Sequence, residues 1–206
     1  EGTHLVERLG APSTPELAAY LDRLELDPAP GWRGEVCLDA MQWVRHAASR
    51  LARGFMLLID YGHTANRLYA GHHAQGTLTT FATHVVDPPP PTGDAPPSPP
   101  WLTDPGDRDI TAHVDITSVC DTARDAGLDL LGVVDQSHFL IGLGAVDAPP
   151  DGDPRKQLQH RLALKTLLLP GGLGSTHQVM LFGKQVGSPP LAGLSFGATR
   201  LPELHH

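Results

Sequence analysis

Several large classes are closed to this chain by what it lacks. It has 15 Lys and Arg against 23 Asp and Glu, a formal net charge of −8. It therefore has no basic stripe of the kind a nucleic-acid surface requires. No run of 18 apolar residues occurs, so no membrane-spanning helix is expected. The opening EGTHLVERLG has neither a basic n-region nor an apolar h-region and does not read as a secretory signal. It also lacks a methionine, which fits a fragment or a processed chain. Cysteine is scarce: Cys37 and Cys120 each fall in an amphipathic helical pattern and read as buried thiols rather than a disulfide. A cytoplasmic protein is the matching expectation.

The loops that announce common chemistries are missing too. There is no GxGxxG, no GxxxxGK[ST], no GxSxG and no HExxH. PGGLGSTHQV (170–179) looks like a phosphate loop, but it runs from a helix into a strand. A phosphate-cradling loop runs the other way, so that amides at a helix N-terminus face the anion. His63, His72, His73 and His84 follow one strand without a metal-ligand spacing, so a metal-dependent hydrolase ranks last among the readings. The terminal His205-His206 reads as a tag remnant and is set aside.

What is present fits a layered α/β domain. The length of 206 residues and the 40% hydrophobic content suffice for one domain, or part of a larger one. STPELAAYLDRL (13–24) reads as a helix with a capping box, Ser13 as N-cap and Glu16 three residues on. Residues 36–53 place Val36, Ala40, Trp43, Val44, Ala47 and Leu51 on one helical face. FMLLID (55–60), apolar at consecutive positions, reads as a strand covered on both faces. TLTTFATHV (77–85) is a further strand or extended loop. Asp115 caps a helix over about 116–126, closed by Gly127. LDLLGVV is a strand, QSHFLIGLG a short helix, 154–169 a long helix and 177–186 the last strand. Breaks fall at 147–154 and 187–193, and PPPPTGDAPPSPP (88–100) reads as a polyproline surface insertion.

Two stretches attract chemistry. LLIDYG ends a buried strand with Asp60, Tyr61 and Gly62, and in open α/β sheets ligands bind beyond the carboxyl ends of strands. An Asx-type turn with Gly62 at positive φ explains the same residues without chemistry. GDRDITAHVDITSV (106–119) gathers Asp109, His113 and Asp115, of which Asp115 is already explained as a helix cap and His113 reads more readily as structural.

Six stretches together resemble one family: EVCLDAMQWV, RGFMLLIDYG, GTLTTFATH, PGDRDITAHVDITSV, QSHFLIGLG and LGSTHQVMLFGK. In this order they look like the MidA-type S-adenosylmethionine-dependent methyltransferases, which include a mitochondrial complex I assembly factor that methylates an arginine. The resemblance covers residues 5–186 and implies the C-terminal half of a class I, Rossmann-like methyltransferase sheet. Residues 1–186 would form that half, 187–206 an irregular tail, and the last strand would run antiparallel. It further implies methyl transfer to nitrogen, by analogy arginine, on a protein substrate, with a homodimer as the assembly to test. The candidate catalytic residues are then Asp60, Tyr61, Asp109, His113 and Asp115.

Two departures qualify the resemblance. The family's glycine-rich cofactor loop and its acidic partner would lie upstream of Glu1, so S-adenosylmethionine is expected to bind there and poorly, if at all, to this chain. Phe81-Ala82-Thr83-His84 stands where the family often has an arginine before the histidine. The alternative is a non-catalytic scaffold that completes its sheet with another chain.

Overall fold

The structure, a computed structural model, describes residues 5–82, 85–86, 99–147, 152–169, 173–196 and 198. Thr83, His84 and nearly all of the 88–100 insertion lie outside the described residues. The strands are β1 (Gly54–His63), β2 (Thr79–Ala82), β3 (Val85–Val86), β4 (Asp109–Thr111), β5 (Val114–Asp115), β6 (Asp129–Asp135) and β7 (His177–Lys184). The helices are α1 (Glu16–Arg23), α2 (Leu38–Arg50), α3 (Ala65–Leu68), α4 (Ile116–Asp125), α5 (Gln136–Gly142), α6 (Pro154–Leu168) and α7 (Leu173–Thr176). They fall into two units, one of residues 1–38 and 69–113, the other of 39–68 and 114–206.

The larger unit, 39–68 and 114–206, is an α/β layer on a mixed sheet of order β5-β1-β7-β6. Strand β7 runs antiparallel to both β1 and β6, as the resemblance implies, whereas β5 is parallel to β1. The core joins Met41, Val44 and Ala48 of α2 to Ile116, Val119, Cys120 and Ala123 of α4, over Leu128, Val133, Met180 and Phe182. Spacing of i, i+3, i+7 on α2 and i, i+3, i+4, i+7 on α4 puts each set on one helical face. Gly127 at φ +82° turns the chain out of α4 and into β6.

Three expectations need correction here. Trp43 is 55% exposed and Cys37, just ahead of α2, is exposed as well. Met41 and Ala48 take the inward positions, and the stripe they share with Val44 points Trp43 away. Strand β1 is not covered on both faces either: Phe55, Leu57 and Ile59 are 49%, 45% and 47% exposed, while Met56 and Leu58 pack on the core. From Gly54 to Tyr61, β1 pairs with β7 on one edge and, among the described residues, with nothing on the other.

The smaller unit carries the sheet β3-β2-β4 and α1. Helix α1 begins at Glu16 with Pro15 as N-cap and no side-chain cap; Thr14 Oγ1 takes the Glu16 amide at 3.4 Å. The residue before a proline is driven out of the α region, so the helix cannot start from Ser13 as the capping box required. Arg33 grips Glu7 with both guanidinium nitrogens, at 2.8 and 2.5 Å, and Trp101 Nε1 donates to the same carboxylate at 2.8 Å. The Arg33 and Trp101 bonds hold the Glu7 carboxyl down at about 2.

Candidate active site

Strand β1 delivers Asp60, Tyr61, Gly62 and His63 to its carboxyl end. Strand β5 meets it there, with Gly62 opposite Val114 and His63 opposite Asp115. The approach is close: a Cβ on Gly62 would stand 2.2 Å from the Val114 carbonyl oxygen. Gly62 is therefore required by backbone contact across the sheet, not by a positive φ, and the strand continues to His63 without an Asx turn.

The side chains at this tip differ in how they are used. Asp60 is half-buried; its Oδ1 accepts the Tyr61 amide at 2.8 Å, and among the described residues no donor reaches Oδ2. Tyr61 meets the His177 ring edge-on at 5.6 Å, and His177 Nδ1 lies 3.1 Å from Thr176 Oγ1. Asp115 is 6% exposed and its carboxylate is committed to α4: Oδ1 accepts the Ser118 amide at 3.1 Å and Oδ2 the Ser118 hydroxyl at 2.5 Å. Thr117 Oγ1, in the same turn, accepts the Ala65 amide at 3.0 Å and ties α3 to α4.

Register also puts Asp60 opposite Gln178 of β7, and Gln178 opposite Asp135 of β6. Asp135 caps α5, accepting from the Ser137 hydroxyl, the His138 amide and the His138 ring. Burial raises its carboxyl, but the Ser137 and His138 bonds outweigh it and leave the value below the usual range. His177 and Gln178 were missed in the sequence, where HQ at the head of a strand carries no signal of its own.

The two remaining candidates belong to the smaller unit. Asp109 opens β4 opposite Phe81 and is exposed. His113 is half-buried, with the His73 ring 6.2 Å away and perpendicular to it. Burial and the neighbouring His73 lower the His113 pKa, so its imidazole is neutral at pH 7.

The described residues do not fit a cofactor cradle. An adenosyl-sulfonium donor in such folds is taken by a strand–glycine loop–helix junction with open amides. Here the β6–α5 and β5–α4 junctions are closed by the carboxylates of Asp135 and Asp115, and at the β1–α3 junction the Ala65 amide is taken by Thr117. Nor do three His, Cys, Asp or Glu side chains converge to hold a metal, among the described residues. No described helix is long and apolar enough to cross a membrane.

A mixed sheet ending in an antiparallel strand, flanked by helices and bearing polar residues at the carboxyl tip of β1, defines a methyltransferase-like α/β fold. Comparison with known proteins agrees. The family described as "Putative S-adenosyl-L-methionine-dependent methyltransferase" matches residues 1–134, and the chain belongs to that family. It is similar to a crystal structure from Burkholderia thailandensis described as a "likely methyl transferase" bound to S-adenosyl-homocysteine. The TM-score is 0.76 at 28% identity, over 91% of this chain and 46% of that one. A native crystal structure of an uncharacterized protein of the same superfamily, also from Burkholderia thailandensis, gives 0.76 at 29% identity, over 91% and 47%. The chain thus spans about half the length of these structures. No curated protein matches it.

Proposed function

We propose that this chain is the acceptor-side half of a MidA-type protein methyltransferase that modifies an arginine nitrogen, in the service of respiratory complex assembly. The carrying observation is Asp60. It is a half-buried carboxylate at the end of a strand, with one oxygen pinned to the Tyr61 amide and the other without a protein donor among the described residues. Such a group binds a guanidinium and fixes its plane. S-adenosylmethionine brings an already activated methyl group, so this chain's residues need only bind the acceptor and hold its nitrogen in line. Tyr61, leaning on His177, lines the same tip; Asp109 and His113, in the smaller unit, remain separate candidates. Asp115 serves as the scaffold of α4.

The test uses a protein extended at its N-terminus to the length of the similar structures, with labelled methyl donor and an arginine peptide. Binding of S-adenosylmethionine at micromolar ligand is expected for the extended protein and not for the 206-residue chain. Asp60→Asn should lower kcat/KM by roughly 100-fold, the scale for removing one preorganised charged contact. Transfer to a lysine peptide but not an arginine peptide overturns the substrate, and full activity in Asp60→Asn overturns the site. The edge of β1 that no described strand pairs from Gly54 to Tyr61 favours a second reading, a non-catalytic module whose sheet is completed by another strand. It predicts that the extended protein binds no S-adenosylmethionine.

A further inference from the structure

Helix α6 belongs to the larger unit and carries two stripes on opposite sides. It packs on α5 and α7, and Gln136 Nε2 of α5 donates to its Leu167 carbonyl oxygen at 3.3 Å. Gln157, His160 and Leu164 form a half-buried stripe. The other stripe is Arg155, Leu158, Leu162, Lys165 and, at the C-cap, Leu169, all exposed. Its leucines are 58%, 55% and 48% exposed, and no residue of α6 is fully buried. Alternating intervals of three and four residues hold one line along a helix that winds around a second helix. The exposed stripe is therefore the seam of a two-helix contact.

The helix is also charged with one sign. Arg155, Lys156, Arg161 and Lys165 are exposed and α6 holds no acid, within a chain of net charge −8. The sequence has no Asp or Glu between Asp153 and Glu203. Asp153 itself is committed to the N-cap, accepting the Arg155 amide at 2.9 Å. Among the described residues none of the four cations makes an ion pair. A second copy of α6 would set these cations against their like, with no acid on either helix. A lipid surface asks for a broad apolar face, whereas this stripe is one side chain wide and broken by Lys165. A helix with carboxylates beside its own apolar seam meets the leucines and the cations at once.

We propose that the Leu158–Leu162–Leu169 seam of α6 docks an acidic amphipathic helix of a partner protein. The leucines pack between the two helices, and Arg155, Arg161 and Lys165 face the partner's carboxylates. This surface does not rest on the methyltransferase reading and stands or falls without it.

The probe is a three-heptad helical peptide with leucine at both seam positions and glutamate on the flanks, which also keeps it from pairing with itself; its twin carries lysine on the flanks. Calorimetry on the 206-residue chain and on the N-terminally extended protein should show micromolar binding of the glutamate peptide, weakening with salt, and none of the lysine twin. Leu158→Ala with Leu162→Ala should weaken binding about 100-fold, about tenfold for each leucine, with the unfolding midpoint unchanged. Arg155→Glu with Lys165→Glu should reverse the preference between the peptides. No binding of the glutamate peptide, equal binding of both peptides, or full binding in the leucine variant overturns the seam. Binding by the short chain but not by the extended protein overturns it as well, because the longer protein then covers the seam itself. Capture by phosphatidylglycerol vesicles through the same leucines, without peptide binding, overturns the helical partner in favour of a lipid surface. A dimer in sedimentation that the leucine variant dissociates overturns it in favour of a second copy.

Discussion

Asp115 caps α4 through its carboxylate, and replacing it tests whether that cap is its role. Its carboxylate takes the Ser118 amide at 3.1 Å and the Ser118 hydroxyl at 2.5 Å, inside the core. Asp115→Ala removes an N-cap, which costs about 1 kcal/mol. It also leaves the fully buried Ser118 hydroxyl without this carboxylate, at a cost of about 1–3 kcal/mol. The sum is about 2–4 kcal/mol. With a urea m-value of about 2 kcal/mol/M, the unfolding midpoint should fall by about 1–2 M. Asp115→Asn keeps an acceptor at the cap and should stay within about 1 kcal/mol of wild type. A midpoint for Asp115→Ala within about 0.3 M of wild type would falsify the cap account and return Asp115 to the carboxylates available to a substrate. Loss of methyl transfer in a stable Asp115→Asn protein would point the same way.

Other consequences concern titration and thiol access. His113 has a folded pKa below its usual 6.5, so its contribution to stability is complete above that value and is lost as pH falls through it toward the folded pKa. Urea midpoints measured between about pH 8 and pH 5 should decline less steeply in His113→Asn than in wild type; parallel declines would remove His113 as the cause. Cys37 is exposed, whereas Cys120 is fully buried, its thiol pushed well up by burial first and then by the charges of Asp121 and Asp115. A thiol reagent should therefore titrate one cysteine in the native chain and two in denaturant. Two reactive thiols in the native state would contradict the packing of α4.

What was legible in the sequence is what short-range rules govern. Asp115 and Gly127 bracket α4 because a carboxylate satisfies first-turn amides and glycine accepts a positive φ at the helix end, and both acts are local. The same holds for Asp135 ahead of α5 and Pro154 at the start of α6. Where partners far apart in the chain decide, the sequence misled. Gly62 reads as a turn glycine until Val114 is seen against its Cα. Cys37 and Trp43 carry the right periodicity to be inside, but Met41, Val44 and Ala48 meet the sheet instead. The site divides in the same way. The place of Asp60 and Tyr61 at the end of β1 was legible because a strand's carboxyl end is a position along the chain. The places of Gln178 and His177 were not, because β7's antiparallel register is what sets them opposite Asp60 and Tyr61. Phe55, Leu57 and Ile59 sharpen the point. The apolar run of β1 reads as covered on both faces, and one face is open in this chain. A central strand keeps apolar residues on two faces when both are to be buried. Among the described residues only the face carrying Met56 and Leu58 is packed, so the alternation of exposure along β1 is set by what lies against each face and not by the apolar run itself.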